Sequence, residues 1–148
     1  VPQRPYLASG SLGDQVTYPK KFKADTDAER AKEVLQAVGI EYLVERNEAG
    51  FGHFCAWEEV LSGGEQQRLT LSRALFHRPA FAILDECTSM VAADAEEGLY
   101  NAVVRENITP LTLSQRLCLE QLHRHELRLG DTSVNSWSLE PIPLKARQ

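Results

Sequence analysis

The sequence predicts an α/β protein with a mostly helical first part, residues 1–79, and a second part, residues 80–148, in which strands alternate with helices. Two Ser/Thr-x-x-Glu motifs, beginning at Thr26 and Ser62, are typical of capping boxes at helix starts. A continuous apolar run over 80–84 is typical of a strand buried on both faces of a parallel sheet. Helix signals followed by a buried strand therefore indicate the α/β class.

The first elements follow from short-range signals. Gly, Pro and Ser residues make 1–24 a predicted loop, with a short helix at Leu12–Val16. The capping box at Thr26 predicts a helix to about Val38, and Gly39 is suited to end it. Ala31, Leu35 and Val38 would share its buried face.

The later elements are predicted in the same way. A short helix is expected at 40–45, a loop at 47–60, and a helix from Ser62 to about His77, stopped by Pro79. Beyond the strand at 80–84, the sequence predicts a helix capped by Asp94 and running to about Glu106, a short strand at 111–114, and a helix over 117–125. A hairpin of 126–129 with 136–139 would turn at Gly130-Asp131.

Composition excludes several classes of protein. The chain has 148 residues, enough for a domain with a hydrophobic core, and a net charge of −5. That charge argues against a nucleic-acid partner, which would call for a basic face. No apolar run approaches the roughly 18–20 residues needed to cross a bilayer. The cysteines Cys55, Cys87 and Cys118 are odd in number and widely spaced, which favours reduced thiols over disulfides or a zinc site.

Residues 61–68 read Leu-Ser-Gly-Gly-Glu-Gln-Gln-Arg and form a candidate anion site. Two glycines allow backbone amides to approach an anion closely, and the positive end of the helix capped by Ser62 faces the same point. The alternative is a plain helix cap with a flexible entry. Residues 81–86, Phe-Ala-Ile-Leu-Asp-Glu, then run an apolar strand into two acids, Asp85 and Glu86.

In order and spacing, these segments resemble the signature motif and the Walker B segment of the ATP-binding cassette (ABC) family. The resemblance covers about residues 1–140. It implies an incomplete ABC-type P-loop NTPase domain. Residues 1–79 would supply the Q-loop, the helical subdomain and the signature helix, and residues 80–148 would supply the second half of the RecA-like ATPase core with a C-terminal hairpin.

The resemblance also implies roles for the signature residues. In this family the signature contacts the γ-phosphate of ATP bound to the opposite subunit. We therefore expect Ser62, Gly63, Gly64, Glu65 and Gln66 to bind nucleotide in trans, across a head-to-tail pair of nucleotide-binding domains.

Further site residues follow from the same resemblance. Asp85 would hold Mg²⁺, and Glu86 would be the general base that polarises the attacking water. Gln3 resembles the Q-loop glutamine, which reaches the Mg²⁺ and the water and contacts the transmembrane domain. Asp94 lies at the D-loop position. Gln115 stands where the family usually has a histidine, so hydrolysis should be weaker by one or more powers of ten.

The chain contains no Gly-x-x-x-x-Gly-Lys-[Ser/Thr] phosphate loop. The first residues, 1–6, look like a strand leading into a loop, and we expect the phosphate loop to precede Val1 in a longer protein. Without it, the 148 residues alone should bind ATP weakly or not at all.

Within the family, residues 1–6, 14–19, 77–79 and 84–89 resemble subfamily D, the adrenoleukodystrophy-protein-like transporters of peroxisomes. This implies a dimerising half-transporter on the cytosolic face of the peroxisomal membrane, with fatty acids or fatty acyl-CoA as cargo.

Three alternatives stay open. One is a non-catalytic half that completes a partner's ATP site, which Gln115 supports and the intact Glu86 opposes. A second is a soluble relative acting on DNA or ribosomes, which the acidic charge opposes. The third is an inactive truncated product.

Overall fold

The computed structural model describes residues 1–130 and 137–143. It contains two compact units, Val1–Leu113 and Ser114–Gln148. The predicted division at residue 79 falls inside the first unit and stays a prediction.

The first unit contains six α-helices and two strands among the described residues. In chain order these are α1 (Leu12–Thr17), α2 (Ala24–Ala37), α3 (Tyr42–Glu45), α4 (Trp57–Val60), α5 (Gly63–His77), β1 (Phe81–Asp85), α6 (Ala93–Arg105) and β2 (Thr109–Leu113), with a 3₁₀ turn at Gly50–Gly52. The α/β class is confirmed. The loop predicted for 47–60 is wrong in part, because α4 and the 3₁₀ turn lie within it.

Helix α5 forms the centre of the helical core, packed against α1 and α2. The predicted inner face of α2 is confirmed, since Ala31, Leu35 and Val38 are fully buried. The predicted capping box is wrong. Helix α2 begins at Ala24, so Thr26 lies inside its first turn, and the Asp27 carboxylate instead accepts a hydrogen bond from the Lys23 N–H at 2.9 Å.

Strands β1 and β2 pair in parallel, with Phe81 opposite Thr109 and Asp85 opposite Leu113. Burial of β1 on both faces was predicted, and this is wrong. Ala82 and Leu84 are buried, whereas Phe81 and Ile83 are 66% and 60% exposed. The reason is that only one face of the strand pair is covered by other described residues.

The start of α6 also corrects the sequence reading. Helix α6 begins at Ala93 with Ala92 as its N-cap, and no side chain caps it. Asp94 is therefore the second residue of the helix and is exposed to solvent. At this position its negative charge interacts favourably with the positive end of the helix dipole. The predicted inner face is confirmed, with Leu99, Tyr100 and Val103 buried.

The second unit contains a 3₁₀ helix at Leu117–Leu122 and an antiparallel hairpin of β3 (His125–Leu129) and β4 (Trp137–Pro141). The hairpin was predicted. Its expected turn residue Asp131, and Ser136, lie outside the described residues. The helix predicted over 117–125 is shorter and of the 3₁₀ type.

The structure also bears on the cysteines and on membrane-spanning helices. Cys55, Cys87 and Cys118 are all described, none of the three is in a disulfide, and Cys87 is buried. In the described part of the chain, none of the helices has the length and apolar character of a membrane span.

Candidate functional site

The signature segment is a well-capped helix start. The Ser62 Oγ accepts from the Glu65 N–H and donates to Glu65 Oε2 at 2.6 Å, while the Ser62 N–H donates to the same oxygen at 2.7 Å. The predicted capping box is therefore confirmed. It leaves Ser62 exposed at the end of a 15-residue helix, where the helix terminus favours an anion.

Glu65 stands at the centre of a small hydrogen-bonded group. Burial raises the pKa of Glu65, but hydrogen bonds from Ser62 and Tyr42 outweigh it, and the net pKa is lowered. The Tyr42 hydroxyl donates to Glu65 Oε1, and burial together with this bond raises the pKa of Tyr42 to about 12. Glu65 is therefore an anion at neutral pH, engaged with its own chain.

The two signature glycines lie against the loop that follows β1. A Cβ built on Gly63 would lie 2.2 Å from the Met90 Sδ, and one built on Gly64 would lie 2.9 Å from the Met90 backbone oxygen. Neither position has room for a side chain while Met90 stays where it is. The glycines thus serve packing within the chain as well as any approach to an anion.

The loop after β1 carries the predicted base in an unusual conformation. Asp85 is exposed at the end of the strand, and Glu86 has a φ of 46°, in the left-handed region. The Glu86 N–H donates to the Leu113 carbonyl at the end of β2, at 2.9 Å. A non-glycine residue held at positive φ stores strain, which is often found at functional sites.

Gln67 was not among the predicted site residues, yet it contacts two of them, Gln3 and Glu86. Its side chain is 1% exposed, and its amide contacts Ser89, Met90 and the backbone oxygens of Gln3 and Glu86. A signal for it exists in the sequence, because Gln67 precedes Leu71 and Leu75 at four-residue spacing on the buried face of α5.

Arg73 is a second residue that the sequence analysis did not single out. Its guanidinium donates to the carbonyls of Tyr6 (2.5 Å) and Gln15 (2.7 Å) and to the Gln15 side-chain oxygen (3.1 Å), and it lies over the Tyr18 ring. Burial lowers its pKa. Arg73 fixes the segment that follows Gln3 to the signature helix.

The structure brings together some of the predicted residues. The signature, Gln3 and the Asp85–Glu86 end of β1 meet around Gln67, all in the first unit. Gln66 lies beside them, and its amide donates to the carbonyls of Glu58 and Leu61. Gln115 belongs to the second unit, two residues after β2 ends.

The fit of a magnesium ion can be judged from Asp85. Mg²⁺ is held in such sites by one or two carboxylates together with phosphate oxygens and water. The exposed Asp85 carboxylate with the adjacent Glu86 suits that need. No cluster of three or more His, Cys, Asp or Glu side chains able to hold a metal occurs among the described residues.

Comparison with known proteins shows the family to which this chain belongs. The family model described as "ABC transporter" matches residues 2–89, more than half of the chain. The chain belongs to the ABC transporter family. The match covers Gln3, the signature and the Walker B segment, and it confirms the fold as part of an α/β P-loop NTPase domain.

Individual relatives confirm the resemblance to subfamily D. The chain is 40% identical to ABC transporter D family member 1 of Arabidopsis thaliana over 96% of its length, and 42% identical to ATP-binding cassette sub-family D member 3 of Homo sapiens over 87%. It is 35% identical over 98% to the lysosomal cobalamin transporter ABCD4 of Mus musculus. The alignments span only 12%, 20% and 24% of these relatives.

Proposed function

We propose that this chain is the signature-bearing part of a transporter's nucleotide-binding domain, coupling ATP binding and hydrolysis to membrane transport. The observation that supports it best is the convergence of the signature, Gln3 and the Glu86 loop on Gln67. A plain helix cap would need none of those contacts.

In this proposal the signature residues act in trans. Ser62, Gly63, Gly64, Glu65 and Gln66 complete the ATP site of a second nucleotide-binding domain in a dimer. The exposed Ser62 and the positive N-terminal end of α5 suit an anion that arrives from outside the chain. Asp94, exposed on α6, would contact the same partner.

The chain's own acids would work on a second nucleotide, the ATP bound by the domain to which this chain belongs. Asp85, with Gln3, would hold a Mg²⁺ that neutralises charge on the ATP phosphates. The Glu86 carboxylate would accept a proton from the attacking water. Gln115 would orient that water by a hydrogen bond without carrying charge.

The cargo and the location are part of the same proposal. The resemblance to subfamily D supports fatty acids or fatty acyl-CoA, with the transmembrane domain of the transporter in the peroxisomal membrane and this chain on the cytosolic face. Because a relative is named as a lysosomal cobalamin transporter, cobalamin is the competing cargo. Stimulation of hydrolysis by one cargo and not the other would decide between them.

The test is ATP hydrolysis by the complete protein that carries these residues, in proteoliposomes. Glu86→Gln should lower kcat by about 100-fold or more, because the general base is lost. Glu97→Gln, an exposed acid on α6, is the matched control and should leave kcat unchanged. Full activity in Glu86→Gln would refute the proposed base.

Gln115 favours a second candidate, a non-catalytic half that completes a partner's site. In that case the protein alone would hydrolyse nothing, and hydrolysis would appear only with a second subunit and depend on Ser62. Replacing Gln115 by His separates the two candidates. A catalytic half should gain about tenfold in kcat from the charge-assisted contact, and a non-catalytic half should gain nothing.

A further inference from the structure

Gln67 is a buried amide placed in a hydrophobic core. It is 1% exposed and has fully buried leucines, Leu69 and Leu71, close by on the same helix. Burying an amide is costly unless its hydrogen bonds are made. A leucine would fill this position at lower cost, so the amide must be explained by its partners.

Those partners belong to two separate segments. Gln67 Oε1 accepts from the Met90 N–H at 2.9 Å, and Gln67 Nε2 donates to the Ser89 Oγ at 3.0 Å. The same nitrogen lies 3.4 Å from the carbonyl oxygens of Glu86 and Gln3. One side chain therefore contacts both ends of the loop 86–90 and the segment of Gln3.

The loop 86–90 is anchored at further points. Met90 covers Gly63 and Gly64, and the Thr88 hydroxyl donates to the buried Glu96 on α6 at 2.5 Å. The Ser89 N–H donates to the Glu86 carbonyl at 3.1 Å, which closes the turn that places Glu86 at positive φ. Gln67 projects from the signature helix, which is a rigid support for its side chain. Its hydrogen bonds can therefore hold this turn in a fixed position.

We propose that Gln67 is a positioning residue, whose amide ties the Glu86 loop and Gln3 to the signature helix so that the base and the signature keep one geometry. This rests on the proposed function, since it assigns Gln67 to the same ATPase site. Gln67 acts through Glu86 and Gln3 and does not touch the nucleotide in this proposal.

The first experiment measures the loop directly. Amide hydrogen exchange at Met90 is followed by NMR in the 148-residue chain for wild type, Gln67→Met and Gln67→Glu. Gln67→Met removes the acceptor, so exchange at Met90 should quicken about 3- to 10-fold, as expected for one lost hydrogen bond. Gln67→Glu keeps the acceptor for the Met90 N–H but loses the donor to Ser89 Oγ, so exchange at Met90 should quicken less than in Gln67→Met, and exchange at Ser89 should quicken.

Gln36→Met is the matched control, because Gln36 is exposed on α2 and makes the same change of side chain. It should leave Met90 exchange unchanged. If Gln67→Met does not fold, Gln67→Glu still tests the proposal through its lost donor, and exchange at Ser89 equal to that of wild type would then overturn it. Equal Met90 exchange in wild type and Gln67→Met would overturn it.

The second experiment measures ATP hydrolysis by the complete protein. Gln67→Met should lower kcat about tenfold and leave the KM for ATP within about twofold, because the residue orients the base and does not bind nucleotide. Unchanged kcat with altered Met90 exchange would also overturn the proposal. An inactive wild type would refute the proposed function instead, and the exchange data would still decide whether Gln67 holds the loop.

Discussion

Helix α5 and the strand pair β1–β2 use apolar residues in opposite ways. Along α5, Leu69, Leu71 and Leu75 are at most 2% exposed. In the strand pair, every second side chain is exposed, with Leu111 at 50% and Leu113 at 55%. The chain therefore holds its signature helix in place by its own contacts, whereas one face of its sheet is an apolar surface that the described residues leave uncovered.

The same contrast holds for polar groups. On α5, Gln67 and Arg73 are buried, and each makes several hydrogen bonds to distant parts of the first unit. Losing one of these hydrogen bonds is costly, because the buried donor or acceptor that remains cannot form a replacement hydrogen bond with water. We therefore expect substitutions in α5 to cost far more stability than substitutions on the exposed face of the sheet.

The largest test is a matched pair of leucines. Leu75→Ala in α5 should lower the free energy of unfolding by about 2–5 kcal/mol, because it opens a cavity in a fully buried site. Leu111→Ala, on the half-exposed sheet face, should cost less than about 1 kcal/mol beyond the change in strand propensity. Urea denaturation of the chain measures both. Similar losses of unfolding free energy in the two variants would contradict this difference between the helix and the sheet.

The second test concerns the buried guanidinium. Arg73→Lys should cost about 2–3 kcal/mol, because a lysine cannot reproduce the fork that reaches Tyr6 and Gln15 together. Arg105→Lys, exposed in the last turn of α6, is the control and should stay within about 0.5 kcal/mol of wild type. Both values come from the same denaturation curves. A small loss for Arg73→Lys would mean that packing, not its hydrogen bonds, fixes the segment at Tyr6.

The third test compares three glycines. In Gly64→Ala the new methyl group would clash with the Met90 backbone oxygen, which cannot move aside easily. The free energy of unfolding should therefore fall by about 1–3 kcal/mol. In Gly63→Ala the new methyl group would clash with the flexible end of the Met90 side chain, so the loss of stability should be smaller. Adding Met90→Ala in a double variant should remove that clash and restore the stability. Apart from the neighbouring residues and backbone of α6 itself, no described atom lies within 4 Å of a Cβ built on Gly98, so Gly98→Ala should stabilise by about 0.5–1 kcal/mol. A stabilising Gly64→Ala would contradict the contact.

The smallest test concerns the ion pairs at the far end of α5. Hydrogen bonds from Arg30 and Arg78 outweigh burial and lower the pKa of Glu106 below 4.5. A folded pKa below the unfolded value gives stability above pH 4.5 that is lost as the pH falls through the folded pKa. Wild type should therefore lose about 1 kcal/mol more than Glu106→Gln between pH 5 and pH 3. Parallel pH profiles of the two proteins would contradict this.

Sequence reasoning succeeded where a signal and its effect lie within one helical turn. The capping box at Ser62, the end of α5 before Pro79, and the apolar strand over Phe81–Asp85 are of this kind. It failed at the starts of α2 and α6. Both have a Thr or Asp followed by a Glu three residues later, yet both helices begin ahead of the expected cap. At α2 the Asp27 carboxylate accepts from the Lys23 N–H in place of the predicted cap, and α6 begins at Ala93 without any side-chain cap.

The fold class, the family resemblance and the residues that the proposed chemistry would use could all be predicted from the sequence, because they depend on residue types at fixed spacing. Only the tertiary structure revealed that Gln67 touches Gln3 and the Glu86 loop, and that Met90 fills the space beside Gly63. These contacts join residues that are about 20 to 60 positions apart. No periodic pattern encodes such pairs, since they depend on how the helices and strands pack together.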